Sequence, residues 1–96
     1  MQIGVVGALA FRQLLGSNQP VYFEVDKGTI TDILELICKQ YGGVLEKMIF
    51  NIAKRELKTS VLVLLNGVPH WNLPHRLATE LKDGDTIELR PMAAGG

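Results

Sequence analysis

The chain has 96 residues, 47% of them apolar, with ten lysines and arginines against ten aspartates and glutamates. That length suits one domain with one core, and a formal net charge of zero gives no electrostatic pull toward nucleic acid or an anionic membrane. No apolar run approaches the roughly 20 residues a membrane helix needs, the single cysteine, Cys38, cannot close an internal disulfide, and no Cys/His cluster has metal spacing.

The opening MQIGVVGALA ends small-x-small but lacks a positive n-region and runs directly into FRQLLG. It is therefore not expected to be a signal peptide, and with the lone cysteine it points to a reducing, cytoplasmic setting. Ile3, Val5 and Val6 favour a strand, interrupted by Gly4 and Gly7. Phe11 to Leu15 has helical character and stops at Gly16, a plausible C′ residue; Ser17, Asn18 and Pro20 continue a turn. Val21, Phe23 and Val25 alternate with Tyr22, Glu24 and Asp26, the pattern of a half-buried strand. Antiparallel pairing with the first run is the simplest connection.

The strongest local signal follows. Thr29 is a good N-cap, and Asp32 stands three residues on, in capping-box position. Ile30, Ile33, Leu34, Ile37, Cys38 and Tyr41 fall at i, i+3, i+4, i+7 spacing, one apolar stripe of a helix that Gly42-Gly43 should end. Val44 to Phe50 reads as a helical turn or two, and Lys54 to Lys58 as a polar connector. Ser60 to Leu65 is a strand, and Asn66-Gly67 behind it suits a type I′ hairpin turn, which needs positive φ at both positions. Val68 resumes pairing until Pro69 stops it, and His70 to Pro74 is loop. Lys82 to Asp85 is a turn. Thr86 to Arg90 is a strand with Ile87 and Leu89 inward, ended by Pro91. This order predicts an α+β roll: a mixed sheet of four to five strands with one main helix on one face, its first and last strands parallel. Residues 1–91 form the domain and 92–96 a flexible tail.

The layout, with Gly95-Gly96 at its end, resembles the β-grasp (ubiquitin-like) proteins. Five segments resemble the small subunit of molybdopterin synthase (MoaD) and its sulfur-carrier relatives. Phe11-Arg12-Gln13-Leu14-Leu15-Gly16 is similar to that family's R-L-R-E-L-L-G. Asp26 to Leu34 is similar to acidic-x-G-x-T-V-x-D-L-L, and Val63 to Gly67 to V-x-x-N-G. Leu81 to Ile87 is similar to L-K-D-G-D-x-V, and Arg90 to Gly96 to P-P-V-x-G-G. The chain departs from the pattern at Ala8-Leu9, where Phe-Ala is usual, at Met92, where a second proline is usual, and in a longer loop from Asn72 to Thr79.

The resemblance implies the chemistry. A ubiquitin-activating-type adenylating enzyme uses ATP to make an acyl-adenylate at the Gly96 carboxylate. Sulfur replaces AMP, and the resulting thiocarboxylate donates sulfur, in molybdopterin biosynthesis first of all, to a large synthase subunit (MoaE-like) or another acceptor. The carrier itself binds no cofactor and needs no catalytic side chain. Two other readings stay open: a protein modifier joined to lysines through Gly96, and an interaction module with an idle tail. Gly95 and Gly96 lack Cβ and can lie extended in a narrow channel of a partner, and Ala93 and Ala94 continue the slim section. Partner contacts are expected at Met92, Ala93 and Ala94. Val61 to Leu65 is apolar on both sides and one helix covers only one; the β-grasp resemblance implies that Val61, Val63 and Leu65 face the helix, so partner contacts are also expected on the other face, where Leu62 and Leu64 stand beside Glu88 and Arg90.

Other residues have plainer readings. Cys38 lies on the apolar stripe and reads as a small buried hydrophobe. His70 and His75 lack a third ligand of matching spacing. Trp71 is either an exposed anchor for a partner or packing over the sheet edge. Lys54, Arg55 and Lys58 could steer an acidic partner but read more simply as a solvated connector, and Gly4 and Gly7 begin no phosphate loop.

Overall fold

In the computed structural model, which describes residues 1–16, 19–51 and 56–92, β1 (Gln2–Gly7) is a central strand. It pairs antiparallel with β2 (Val21–Glu24), Ile3 opposite Phe23, and parallel with β7 (Thr86–Pro91), Val5 opposite Ile87. On the other side of β7 lies β5 (Val61–Leu65), antiparallel, with Val63 opposite Leu89. The two-residue β6 (Val68–Pro69) completes the sheet in the order β2-β1-β7-β5-β6. This is the expected mixed roll with parallel outer-sequence strands.

The main helix α2 (Ile30–Tyr41) starts where the sequence places it. The Thr29 side chain accepts from the Asp32 amide at 3.3 Å, and the Asp32 carboxylate accepts from the Thr29 amide at 2.9 Å, so both partners of the capping box are made. Ile30, Ile33, Leu34, Ile37 and Cys38 are buried against the sheet, with Tyr41 half-buried. Each aliphatic side chain on that stripe contributes ~1.5–3 kcal/mol of transfer free energy. Opposite them lie Ile3, Val5, Val61, Val63, Ile87 and Leu89, all essentially solvent-free.

Two short helices close the ends of the core. α1 (Ala10–Leu15) buries Phe11 and Leu15 and ends on Gly16 in the left-handed region. It crosses Gly7 so closely that a Cβ there would lie 2.6 Å from the Phe11 carbonyl carbon, so only glycine fits. Gly42 ends α2 as expected, and α3 (Gly43–Ile49), the expected helical turn or two, begins at the next residue. Gly42 turns at φ 92° and its amide still bonds the Cys38 carbonyl. α3 buries Leu45 and Ile49.

Several boundaries differ from the sequence reading. β2 ends at Glu24, although the Val25 amide still bonds the Met1 carbonyl at 2.9 Å. Glu56–Leu57 is a short strand, β4, antiparallel to β3 (Phe50–Asn51), so the Lys54–Lys58 stretch is not wholly a connector. Pro69 and Pro91 lie inside ladders, opposite Leu64 and Val61. Both occupy positions where the missing N–H faces away from the partner strand. His70–Asn72 and Arg76–Ala78 form two turns of 3-10 helix in the expected loop. The Asn66-Gly67 turn has φ 51° and 86°, as a type I′ hairpin requires. The Asn66 side chain also donates to Asp85 Oδ1 and accepts from the Thr86 amide, each at 2.9 Å, which fastens the hairpin to the start of β7. The expected turn at Ser17-Asn18 lies outside the described residues. No helix is long and apolar enough to cross a membrane among the described residues.

Candidate functional site

The sheet order decides where the chain's end emerges. β7 runs between β1 and β5, held on both flanks, and delivers the backbone to Met92. The Met92 amide donates to the Ser60 carbonyl at 2.8 Å, which fixes the root of the tail beside the start of β5. Ala93, Ala94, Gly95 and Gly96 lie outside the described residues, as do Lys54 and Arg55.

Alternation along β5 turns Val61, Val63 and Leu65 into the core and leaves Leu62 and Leu64 half-buried on the opposite face. Leu62 faces Arg90 across the ladder and Leu64 faces Glu88. Arg90 Nη1 and Glu88 Oε2 form an ion pair at 3.1 Å. The four residues thus stand together as expected, although the two leucines are less open than an exposed patch would make them. The sequence reading missed two further members of this face. Val6 lies opposite Glu88, and the Tyr22 ring, 60% exposed, lies over Gly4, where a Cβ would come within 3.2 Å of it. Simple alternation in β1 and β2 carries that signal.

A second surface was not anticipated. A groove of about 440 Å³ opens where the β4–β5 turn meets the two 3-10 turns, and Leu57, Lys58, Val61, Trp71, Arg76 and Met92 line it. Trp71 is 44% exposed and Met92 37%. His70 sits behind the indole, ring edge to face at a centroid distance of 5.1 Å. Its Nδ1 lies 3.3 Å from the Val63 amide nitrogen and 3.1 Å from the Val63 carbonyl oxygen. Either tautomer therefore has a backbone partner: the amide donates to the ring in one, and the ring donates to the carbonyl in the other. Among the described residues no group of three His, Cys, Asp or Glu side chains could hold a metal ion. His75 is exposed and leads into the second 3-10 turn. Cys38 is buried, and burial pushes its thiol up to about 11, with Glu46 and Glu35 acting in the same direction.

A curated relative, small archaeal modifier protein 3 of Haloferax volcanii, is 34% identical over 87 residues, spanning 90% of this chain and 89% of that protein. Among solved structures, small archaeal modifier protein 1 of Methanosarcina acetivorans superposes with a TM-score of 0.82 at 28% identity, covering 99% of this chain and 96% of the other. The Amycolatopsis orientalis BexX/CysO complex contains a chain of the same fold, with a TM-score of 0.72 at 23% identity over 98% of this chain and 99% of that one. No protein-family model matches. The class is the ubiquitin-like β-grasp protein, comprising sulfur carriers and protein modifiers. Within it, the chain belongs to the family of the small archaeal modifier proteins.

Proposed function

We propose that the chain is a sulfur carrier whose working group is the Gly96 carboxylate. The observation that supports this most is the placement of Met92: a strand locked in the middle of the sheet ends there, its amide held by the Ser60 carbonyl, and in sequence only the small residues Ala93-Ala94-Gly95-Gly96 come after it. In this reading a ubiquitin-activating-type enzyme binds ATP, and a Gly96 carboxylate oxygen attacks the α-phosphorus. Pyrophosphate leaves, and AMP leaves in turn when sulfide adds to the acyl carbon. The thiocarboxylate sulfur then bonds to a precursor held by an acceptor enzyme, and water cleaves the acyl carbon–sulfur bond to return the Gly96 carboxylate; molybdopterin formation is the first candidate and a large synthase subunit the corresponding partner. The carrier holds no cofactor of its own, and ATP belongs to the activating enzyme. The setting is cytoplasmic, where such an enzyme finds ATP.

The open sheet face supports docking in this scheme. Leu62 and Leu64 give an apolar centre, and Glu88 and Arg90 a charged rim, at the strand that leads into the tail. A partner gripping this face would hold Gly96 near its active site and raise its local concentration there.

A specific observation favours a second reading, the 34% identity to a small archaeal modifier protein. There the activated Gly96 is passed to a lysine amine instead of to sulfur. Mass spectrometry of the protein purified from its native host separates the two. A carrier shows an intact mass raised by the difference between sulfur and oxygen. A modifier leaves branched Gly-Gly-lysine peptides on other proteins. Neither signature, in cells actively using the pathway, would refute both.

A further inference from the structure

We infer that the groove at the root of the tail is a docking site for an acidic, apolar-centred segment of the enzyme that takes the Gly96 carboxylate, a surface separate from the open sheet face. The inference rests on the carrier reading above. The first argument is one of reach. Four residues follow Met92, and four extended residues span at most about 14 Å. An enzyme that closes its active site over Gly96 must therefore bring its own surface to within that distance of Met92. Met92 is itself a wall of the groove.

Charge selects the occupant. Among the described residues, the ionised side chains that line the groove are Lys58 and Arg76, both cationic, and no described carboxylate lines it. Neither forms an ion pair with any described residue. Their charge is thus free to meet a carboxylate brought by a partner, which would raise the association rate and fix the register of docking. Between them the walls are apolar, from Leu57, Val61, Trp71 and Met92.

The groove is also pre-shaped. Trp71 is backed by His70, which is in turn tied to the backbone of β5, so the indole has an ordered support before any partner arrives. Arg76 is held at φ 48°, a region non-glycine residues seldom occupy. Its carbonyl is bonded by both the amide and the hydroxyl of Thr79. Backbone kept in a sparsely populated conformation at a ligand-facing position is a recurring mark of binding sites. A supported aromatic and an arginine beside it are the residue types that dominate binding energy at interfaces.

The test measures calorimetric affinity of the full chain for the adenylating enzyme of its host, alongside ATP–pyrophosphate exchange. Trp71→Ala and the double variant Lys58→Glu/Arg76→Glu should each bind about tenfold more weakly or worse. The melting temperature of the charge-reversed variant should be nearly unaltered, because Lys58 and Arg76 are exposed; Trp71→Ala gives up a half-buried indole, so its affinity is measured at a temperature where it is fully folded. The charge-reversed variant should also invert the salt dependence of binding, added salt strengthening it where it weakens the parent's. His70→Ala should weaken binding as well, through the loss of support for the indole. If the parent chain supports exchange and both groove variants bind as it does, the groove assignment is wrong and the carrier reading stands. If the parent supports no exchange with any adenylating enzyme of its host, both fail together. A change in Trp71 emission of the isolated protein on deleting Gly95-Gly96 would assign the groove to the chain's own tail and overturn the proposal.

Discussion

At the scale of single residues, Cys38 and Leu9 carry the clearest energetic statements. The Cys38 thiol rises from 9.0 to about 11 because burial disfavours the thiolate. The unfolded chain loses this proton near pH 9 while the folded one keeps it until about 11. Stability should therefore decline as pH rises through that window, which denaturant titrations at stepped pH would record. Iodoacetamide at pH 8 should label Cys38 only after denaturant unfolds the chain; rapid labelling of the native protein would contradict its burial. Leu9 is the opposite case, 65% exposed and at φ 58°, ψ −123°. A leucine there gains little burial and holds a backbone shape that suits glycine. Leu9→Gly should raise stability by up to about 1 kcal/mol, read from the denaturation midpoint.

At the scale of elements, α2 and β5 illustrate two kinds of legibility. The capping box, the apolar stripe and the Asn66-Gly67 turn were readable because each is a local pattern with a local cause. Alternation alone could not choose between the two apolar sets of β5; the β-grasp resemblance put Val61, Val63 and Leu65 inward and Leu62 and Leu64 outward, as the structure has them. The Glu56–Leu57 strand was not readable, since two residues carry no period, and the 3-10 turns at His70–Asn72 and Arg76–Ala78 have no apolar repeat. Ile37, fully buried on α2, should cost ~2–5 kcal/mol when replaced by alanine, through lost transfer energy and the cavity left behind; chemical denaturation reads this directly. Leu64, half-buried on the open face, should tolerate aspartate with little loss of fold stability. Affinity for the activating enzyme or the sulfur acceptor should fall. If Leu64→Asp unfolds the domain, the residue faces inward after all; if it folds and binds normally, the sheet face is not a docking surface.

At the scale of the whole molecule, the sheet order was anticipated from the parallel placement of first and last strands, and so was the emergence of the tail from a held strand. The groove was not. It is assembled from Leu57 to Val61, His70 to Leu77 and Met92, three stretches that only the tertiary fold brings together; Lys58, His70, Trp71 and Met92 each drew attention in the sequence, but nothing there placed them in one groove. Deleting Gly95-Gly96 should abolish product formation in a reconstituted pathway and leave the melting temperature nearly unchanged, since all the core residues named above lie upstream. Retained product formation by the truncated protein would exclude a role for Gly96. A large drop in melting temperature would show instead that the tail supports the fold.

The parallel pairing of β1 with β7 has a mechanical consequence. β1 begins at Gln2 and β7 ends at Pro91, and side-by-side parallel strands place those two points at opposite ends of one ladder. A force drawn between the first residue and Gly96 therefore loads the β1–β7 hydrogen bonds together, in shear. They must break in concert rather than one after another. Pulled from the β5–β6 hairpin instead, the sheet would peel from its edge, bond by bond. If Gly96 becomes the point of attachment to another protein, an unfolding machine that hauls on that linkage meets the domain along its most resistant direction.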